Sequence, residues 1–290
     1  MPESFETRMG VVYCNHDGVE LAGDLFLPAG PGPHPALIAV HGGGWRVGAR
    51  VSLHNWGRHL AERGYAVFSV SYRLSAKGKK TFPAAAHDIV AAVQYIRGEA
   101  KSLRIDPERI GMIGASAGAH LSSLTGLATQ SDHFLGAYPQ DKHAKIDAKV
   151  KVVIGIFGVY DMAANWNDFN RQTPGDNPTD IFLGATPMED RKLYFDASPM
   201  SYATYANNKV RFFLSWGTED DLVDVEQQSK PFLLALKQAG VFVRTAIVQS
   251  APHYWTGDPM DEPGSFTGFL APRVIRFLHD PVVGFAPAKA

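Results

Sequence analysis

Apolar positions in this chain fall into short continuous runs separated by segments of helical period. Ala36 to Val40 is such a run, Ile110 to Ile113 is a short apolar one, and Ala66 to Val70, interrupted by Ser69, reads as the next buried strand. Unbroken apolar runs of this length mark strands covered on both faces. Between them, Leu53 to Arg63 reads as a helix stopped by Gly64. Ala84 to Glu99 reads as a second helix, with an apolar face at Ile89, Val93 and Ile96 and Pro83 near its start. The pattern continues as helix 117–128, strand 150–157, strand 211–216, helix 225–239, strand 241–248 and a helix near 268–278. At the N-terminus, Val11 to Cys14 and Glu20 to Leu27 read as two antiparallel strands joined at Asn15-His16-Asp17-Gly18. Strand and helix alternate, which predicts an α/β fold: a mostly parallel central sheet with helices on both faces. The exception follows the sixth strand. Residues 162–206 are rich in Asn, Asp, Pro and aromatics and lack a long periodic pattern. They read as a cap-like excursion over the sheet, within one domain spanning 1–290.

Composition narrows the classes of partner. The chain has 290 residues, 45% hydrophobic and 20% charged, which suits one large α/β domain or two small ones. A net charge of −1 offers no basic field for nucleic acid or anionic lipid. The single cysteine, Cys14, has no internal disulfide partner and reads as a packed, reduced thiol. Met1 to Glu6 lacks the basic and apolar regions of a secretory signal, and no apolar run approaches membrane-spanning length. The expectation is a cytoplasmic protein without nucleic-acid or membrane partners. Its oligomeric state is left open.

Candidate chemistry lies where each predicted strand ends, since open parallel sheets bind ligands at the carboxyl ends of their strands. After 110–113 comes Gly114-Ala115-Ser116-Ala117-Gly118, a serine on a tight strand-to-helix turn that pushes its hydroxyl above the sheet. After 36–40 comes His41-Gly42-Gly43-Gly44-Trp45. Its glycines let backbone amides approach a developing oxyanion, so the amides of Gly43, Gly44 and Ala117 are candidate donors. His41 reads as a residue that orients this loop. After 211–216 comes Gly217 to Asp224, with four carboxylates. Asp220 is the candidate acid, Asp221 and Asp224 weaker ones, and Asp161 a further alternative that also reads as a helix cap. Of the eleven histidines, only His253 and His279 follow that loop, and His253 is the candidate base. Trp45, Tyr160, Trp166, Tyr254 and Trp255 are candidate walls of the substrate pocket, with core packing the alternative for Tyr160 and Trp166. Arg73 and Asp88 read as a buried supporting pair. No His-Glu-x-x-His or Cys/His cluster is present, and the 42–44 loop lacks the Lys-Ser/Thr of a phosphate loop. No metal or cofactor is expected.

These motifs resemble those of α/β-hydrolases of the hormone-sensitive-lipase-like esterases, in particular the bifunctional acetyl and feruloyl esterase group. The resemblance runs from about residue 19 to 278. It rests on His41 to Trp45, Ser71-Tyr72-Arg73-Leu74, Phe82 to Asp88, Ile105 to Ile110, Gly114 to Leu121, Ala197-Ser198-Pro199-Met200, the Asp220 loop and His253. It implies the chain order Ser116, Asp220, His253 for a catalytic triad. Two departures stand out. Ala119 replaces a glycine usual after the elbow, and the loop after His253 is longer, more aromatic and more acidic. Related formamidases usually carry Tyr where this chain has Gly44. The leading expectation is a serine carboxylesterase for soluble short-acyl or aryl esters. A formamide or aryl-amide hydrolase with the same triad, and a non-catalytic ligand binder on this scaffold, are the alternatives.

Overall fold

The computed structural model describes residues 4–129, 131, 134 and 136–287. Eight strands form one sheet: β1 (Phe5–His16), β2 (Val19–Pro28), β3 (His34–Val40), β4 (Ala66–Val70), β5 (Ile105–Ala115), β6 (Val152–Ile156), β7 (Arg211–Gly217) and β8 (Val243–Val248). Their spatial order is β1-β2-β4-β3-β5-β6-β7-β8. β1 pairs antiparallel with β2, and β2 with β4, while every pairing from β4 to β8 is parallel.

Because side chains alternate across a strand, each central strand feeds two cores. Ile38 and Val40 of β3 enter one, with α2 (Ala84–Gly98), α3 (Ala117–Ala128) and α7 (Ser229–Gln238). Leu37 and Ala39 enter the other, with α1 (His54–Ala61) and α8 (Phe266–Leu278). This explains the apolar runs: both faces are covered, and the one buried hydroxyl of β4, Ser69, donates to the Arg50 carbonyl at 2.5 Å. The longer strands were legible only in part. β1 and β5 extend well beyond 11–14 and 110–113, because β1 lies at the sheet edge with much of its length exposed and Asp106-Pro107-Glu108-Arg109 sits in partly exposed strand. Helix α7 starts at Ser229 instead of 225, since Asp224 caps a turn over 224–228.

The excursion contains more helix than its composition suggested. α4 (Met162–Gln172), α5 (Pro178–Leu183) and α6 (Arg191–Asp196) lie within 162–206. Its Asn and Asp residues are helix starts: the Asp161, Asn177 and Asp190 side chains accept from the amides of Ala164, Thr179 and Leu193 at 2.9, 3.0 and 2.9 Å. Asp161 is therefore a cap, and it stands apart from His253. Among the described residues, no helix is long and apolar enough to cross a membrane.

Candidate active site

The turn from β5 to α3 carries Ser116 at φ 54°, ψ −121°. A serine held at positive φ costs on the order of 1–3 kcal/mol and persists only where its surroundings enforce it. Here they do. The Ser116 amide donates to the Ile156 carbonyl at 2.9 Å, and its carbonyl accepts from the His120 amide at 3.0 Å. Both flanking glycines are dictated by backbone. A Cβ on Gly114 would sit 2.3 Å from the Gly118 carbonyl oxygen, and one on Gly118 would sit 2.0 Å from that of Val40. Neither oxygen belongs to a flexible side chain. Gly118→Ala is therefore expected to remove more than about 3 kcal/mol of stability or to prevent folding. Gly257→Ala, with nothing within 4 Å of the new Cβ, is expected to stay within about 0.5 kcal/mol of wild type. Urea unfolding of the two variants measures the contrast. Ala119 is accommodated because Gly158 faces it: a Cβ there would lie 2.7 Å from that of Ala119.

The loop after β3 approaches the same turn. Gly43 and Gly44 adopt φ of 110° and 57°. The Gly43 carbonyl closes the turn by accepting from Arg46 and Val47 amides, both at 3.0 Å. Among the described residues, no protein acceptor pairs with the amides of Gly43, Gly44 or Ala117, and all three residues border one cavity with Ser116. His41 hydrogen-bonds the Gly42 carbonyl through Nδ1 at 2.7 Å and stacks on Tyr72. It supports the loop and does not line the cavity.

His253 and Asp220 arrive from the last two strand ends. Gly217 lets those ends touch, since a Cβ there would lie 2.0 Å from the Ala251 carbonyl oxygen. The amides of Thr218 and Glu219 donate to the carbonyls of Val248 and Ala251 at 3.0 and 3.1 Å. His253 Nε2 then lies 3.1 Å from Ser116 Oγ, and its Nδ1 lies 3.0 and 2.9 Å from the two Asp220 oxygens. Asp220 Oδ1 also accepts from the amides of Leu222 and Val223 at 3.1 and 2.9 Å. Asp221 accepts from the His253 backbone amide, and Asp224 caps its own turn, so neither faces the imidazole ring. His279 is exposed at the end of α8. A buried carboxylate on Nδ1 fixes the proton there, which leaves Nε2 as the acceptor facing the serine hydroxyl.

The cavity above Ser116 holds about 430 Å³. Its walls are mainly apolar: Val47, Val159, Phe169, Pro178, Leu222 and Val223, with Arg46 and Asn165 as polar members. Trp45 and Tyr254 border this cavity. Tyr160, Trp166 and Trp255 do not. The Tyr160 ring stacks on Phe232 with centroids 4.2 Å apart, the Trp166 indole is turned to Asp180 at 3.3 Å, and Trp255 packs against Phe157 in the α1/α8 core. All three are core residues here. The wall residues Phe169, Pro178, Leu222 and Val223 carried one overlooked signal: apolar side chains within polar, turn-rich segments.

Arg73 and Asp88 form a buried fork. Arg73 Nε lies 3.0 Å from both Asp88 oxygens, and an Nη lies 2.6 Å from Oδ1. His16 stands between Asp88 and Asp141, at 2.8 and 2.7 Å. Burial alone would lower its pKa, but hydrogen bonds to the two carboxylates raise it. Elsewhere burial prevails and lowers His59 and fully buried His120 to about 4. The unfolded chain takes up those protons near pH 6.5, before the folded one does. The stability of the neutral forms is thus present above pH 6.5 and lost as pH falls toward 4. The expected result is a melting temperature that drops over that window, with a shallower drop in His59→Gln. The raised His16 acts oppositely: its contribution is complete below pH 6.5 and fades as pH rises through its folded value.

Over 237 residues the chain is 29% identical to the probable carboxylic ester hydrolase LipM of Mycobacterium tuberculosis, covering 78% of this chain and 49% of LipM. Esterase LipC of the same organism is 31% identical over 202 residues, covering 67% and 46%. The chain thus spans about half the length of these curated relatives. Among solved structures, Est2, a thermophilic esterase of Thermogutta terrifontis bound to propionate, superposes with a TM-score of 0.76 at 22% identity, covering 99% and 97% of the two chains. The acetyl ester-xyloside bifunctional hydrolase of Caldicellulosiruptor lactoaceticus gives 0.73 at 23%, covering 91% and 89%. These likenesses establish the α/β-hydrolase fold. The BD-FAE family profile matches residues 24–236, and the chain belongs to that family.

Proposed function

We propose that this protein is a serine carboxylesterase for short-acyl or aryl esters, with Ser116 as nucleophile, His253 as base and Asp220 as the acid that orients it. The observation that carries this reading is the hydrogen-bonded line from Asp220 through His253 to Ser116 beside three unpaired amides. As Oγ attacks the ester carbonyl, its proton passes to His253 Nε2, and the amides of Gly43, Gly44 and Ala117 receive the oxyanion. The C–O bond to the alcohol then breaks, and Nε2 returns the proton to the leaving oxygen. Water repeats the sequence on the acyl-enzyme: Nε2 takes its proton, the acid departs, and Ser116 recovers its hydrogen. Asp220 stabilises the imidazolium in both halves.

The apolar walls and the volume of about 430 Å³ favour a small acyl or aryl group over a long chain. Residues 162–206 serve in this reading as a cap-like insertion of one domain spanning 1–290, with Asn165, Phe169 and Pro178 as its contribution to the wall. The esterase names of the relatives support ester hydrolysis. A cytoplasmic setting belongs to the same reading and is supported by the free, buried Cys14 thiol. A panel of p-nitrophenyl esters from acetate to laurate, with N-formylated aryl amines beside it, tests the assignment. The expected outcome is turnover highest at two to four acyl carbons and at least about tenfold above any formamide. Amide turnover exceeding ester turnover would replace the reading with an amidase.

A further inference from the structure

Four residues beyond the nucleophile, a histidine that the proposed mechanism does not use is sealed in the protein. His120 has no exposed surface and sits on α3, one turn after Ser116. Its ring bridges the turn after β3 and the segment after α6. The Trp45 indole N–H donates to Nδ1 at 3.1 Å, and Nε2 lies 2.8 Å from the Ala197 carbonyl. An indole nitrogen can only donate and a carbonyl can only accept. The ring is therefore neutral, with its proton on Nε2, and burial pushes it the same way by lowering its pKa to about 4.

Trp45 is the residue directly after Gly43-Gly44. It has φ 59°, stacks on Phe182 of α5 at 4.7 Å, and gives its carbonyl to the amide and hydroxyl of Ser75 at 2.8 and 3.1 Å. Fixing its indole fixes the backbone of the turn. Oxyanion donors act only when they are held where charge develops, and a small misplacement costs rate while leaving ground-state binding almost unchanged.

We propose that His120 is a positioning residue, which as its Nε2–H tautomer holds Trp45 and through it aims the Gly43 and Gly44 amides at the reacting carbonyl beside Ser116. This rests on the carboxylesterase reading above.

The two hydrogen bonds of His120 separate by substitution. In His120→Asn, Oδ1 stands in for Nδ1 and keeps an acceptor for Trp45. In His120→Gln, the amide nitrogen stands in for Nε2 and keeps the donor to Ala197, while Trp45 loses its acceptor. With p-nitrophenyl acetate at pH 7, His120→Gln is expected to lose about 10- to 100-fold in kcat with KM within threefold, and His120→Asn to stay within about threefold of wild type. In a Trp45→Phe background, His120→Gln should add less than a further twofold loss, because the coupled N–H is already gone. In two-dimensional amide NMR spectra, the Gly43 and Gly44 resonances should shift in the Gln variant and hold in the Asn variant. A Gln variant within twofold of wild type in kcat, or one whose loss is undiminished in the Trp45→Phe background, overturns the proposal. A wild type that hydrolyses no ester overturns the carboxylesterase reading instead. The Gly43 and Gly44 resonances then still decide whether His120 places the turn: unshifted resonances in the Gln variant refute it, and Trp45→Phe gives a second test should that variant not fold.

Discussion

Ser116→Ala is expected to lower kcat/KM for p-nitrophenyl acetate by about ten-thousandfold or more, with the fold and the melting temperature preserved. The substitution deletes one oxygen from a residue whose backbone is held by Ile156 and His120, so nothing else need move. Ser116 Oγ is the hydroxyl within hydrogen-bonding reach of His253 Nε2, at 3.1 Å. Without it, the only remaining route is attack by water using the same base and the same amides, which is slow. Rates retained within tenfold of wild type, after correction for contaminating esterase, would move the nucleophile to another residue.

The next largest effect is expected at Asp220. In Asp220→Asn, Oδ1 still accepts from the Leu222 and Val223 amides, so the loop keeps its shape. The new NH₂ group donates toward His253 Nδ1, however, and the ring proton is driven to Nε2. A protonated Nε2 has no lone pair for the serine proton. The expected loss in kcat is about 10³- to 10⁴-fold, with little change in KM. A loss under tenfold would make Asp220 a loop cap and nothing more. Asp221 would be a poor substitute, because its carboxylate meets the backbone amide of His253 and not the ring.

Much of this was legible in the sequence for identifiable reasons. The buried strands announced themselves because both faces are covered. The Gly-x-Ser-x-Gly pattern was legible because a Cβ on Gly114 or Gly118 would lie 2.3 or 2.0 Å from a backbone carbonyl oxygen, a constraint that leaves one residue type. The loops that carry Ser116, Asp220 and His253 could be chosen by their place after β5, β7 and β8, since the parallel sheet brings those ends to one edge. The walls of the cavity could not. An aromatic residue in the right segment has two faces to choose from, and local pattern does not say which it takes. Tyr160 and Trp166 turned inward to Phe232 and Asp180, whereas Phe169 turned to the cavity. In 162–206 the sequence shows no long period, because helices of six to eleven residues carry too few turns to make one; of their three Asx caps only Asp161 is legible as such.

The central claim is that Ser116 is an activated nucleophile. Reaction with one equivalent of an aryl organophosphonate, read by intact-mass and peptide mass spectrometry, tests it without reference to any natural substrate. The account predicts a single phosphonyl adduct on the peptide holding Ser116, with the aryl alcohol released, and no adduct in Ser116→Ala or His253→Ala. An unmodified wild type, or an adduct that persists in Ser116→Ala, would contradict it.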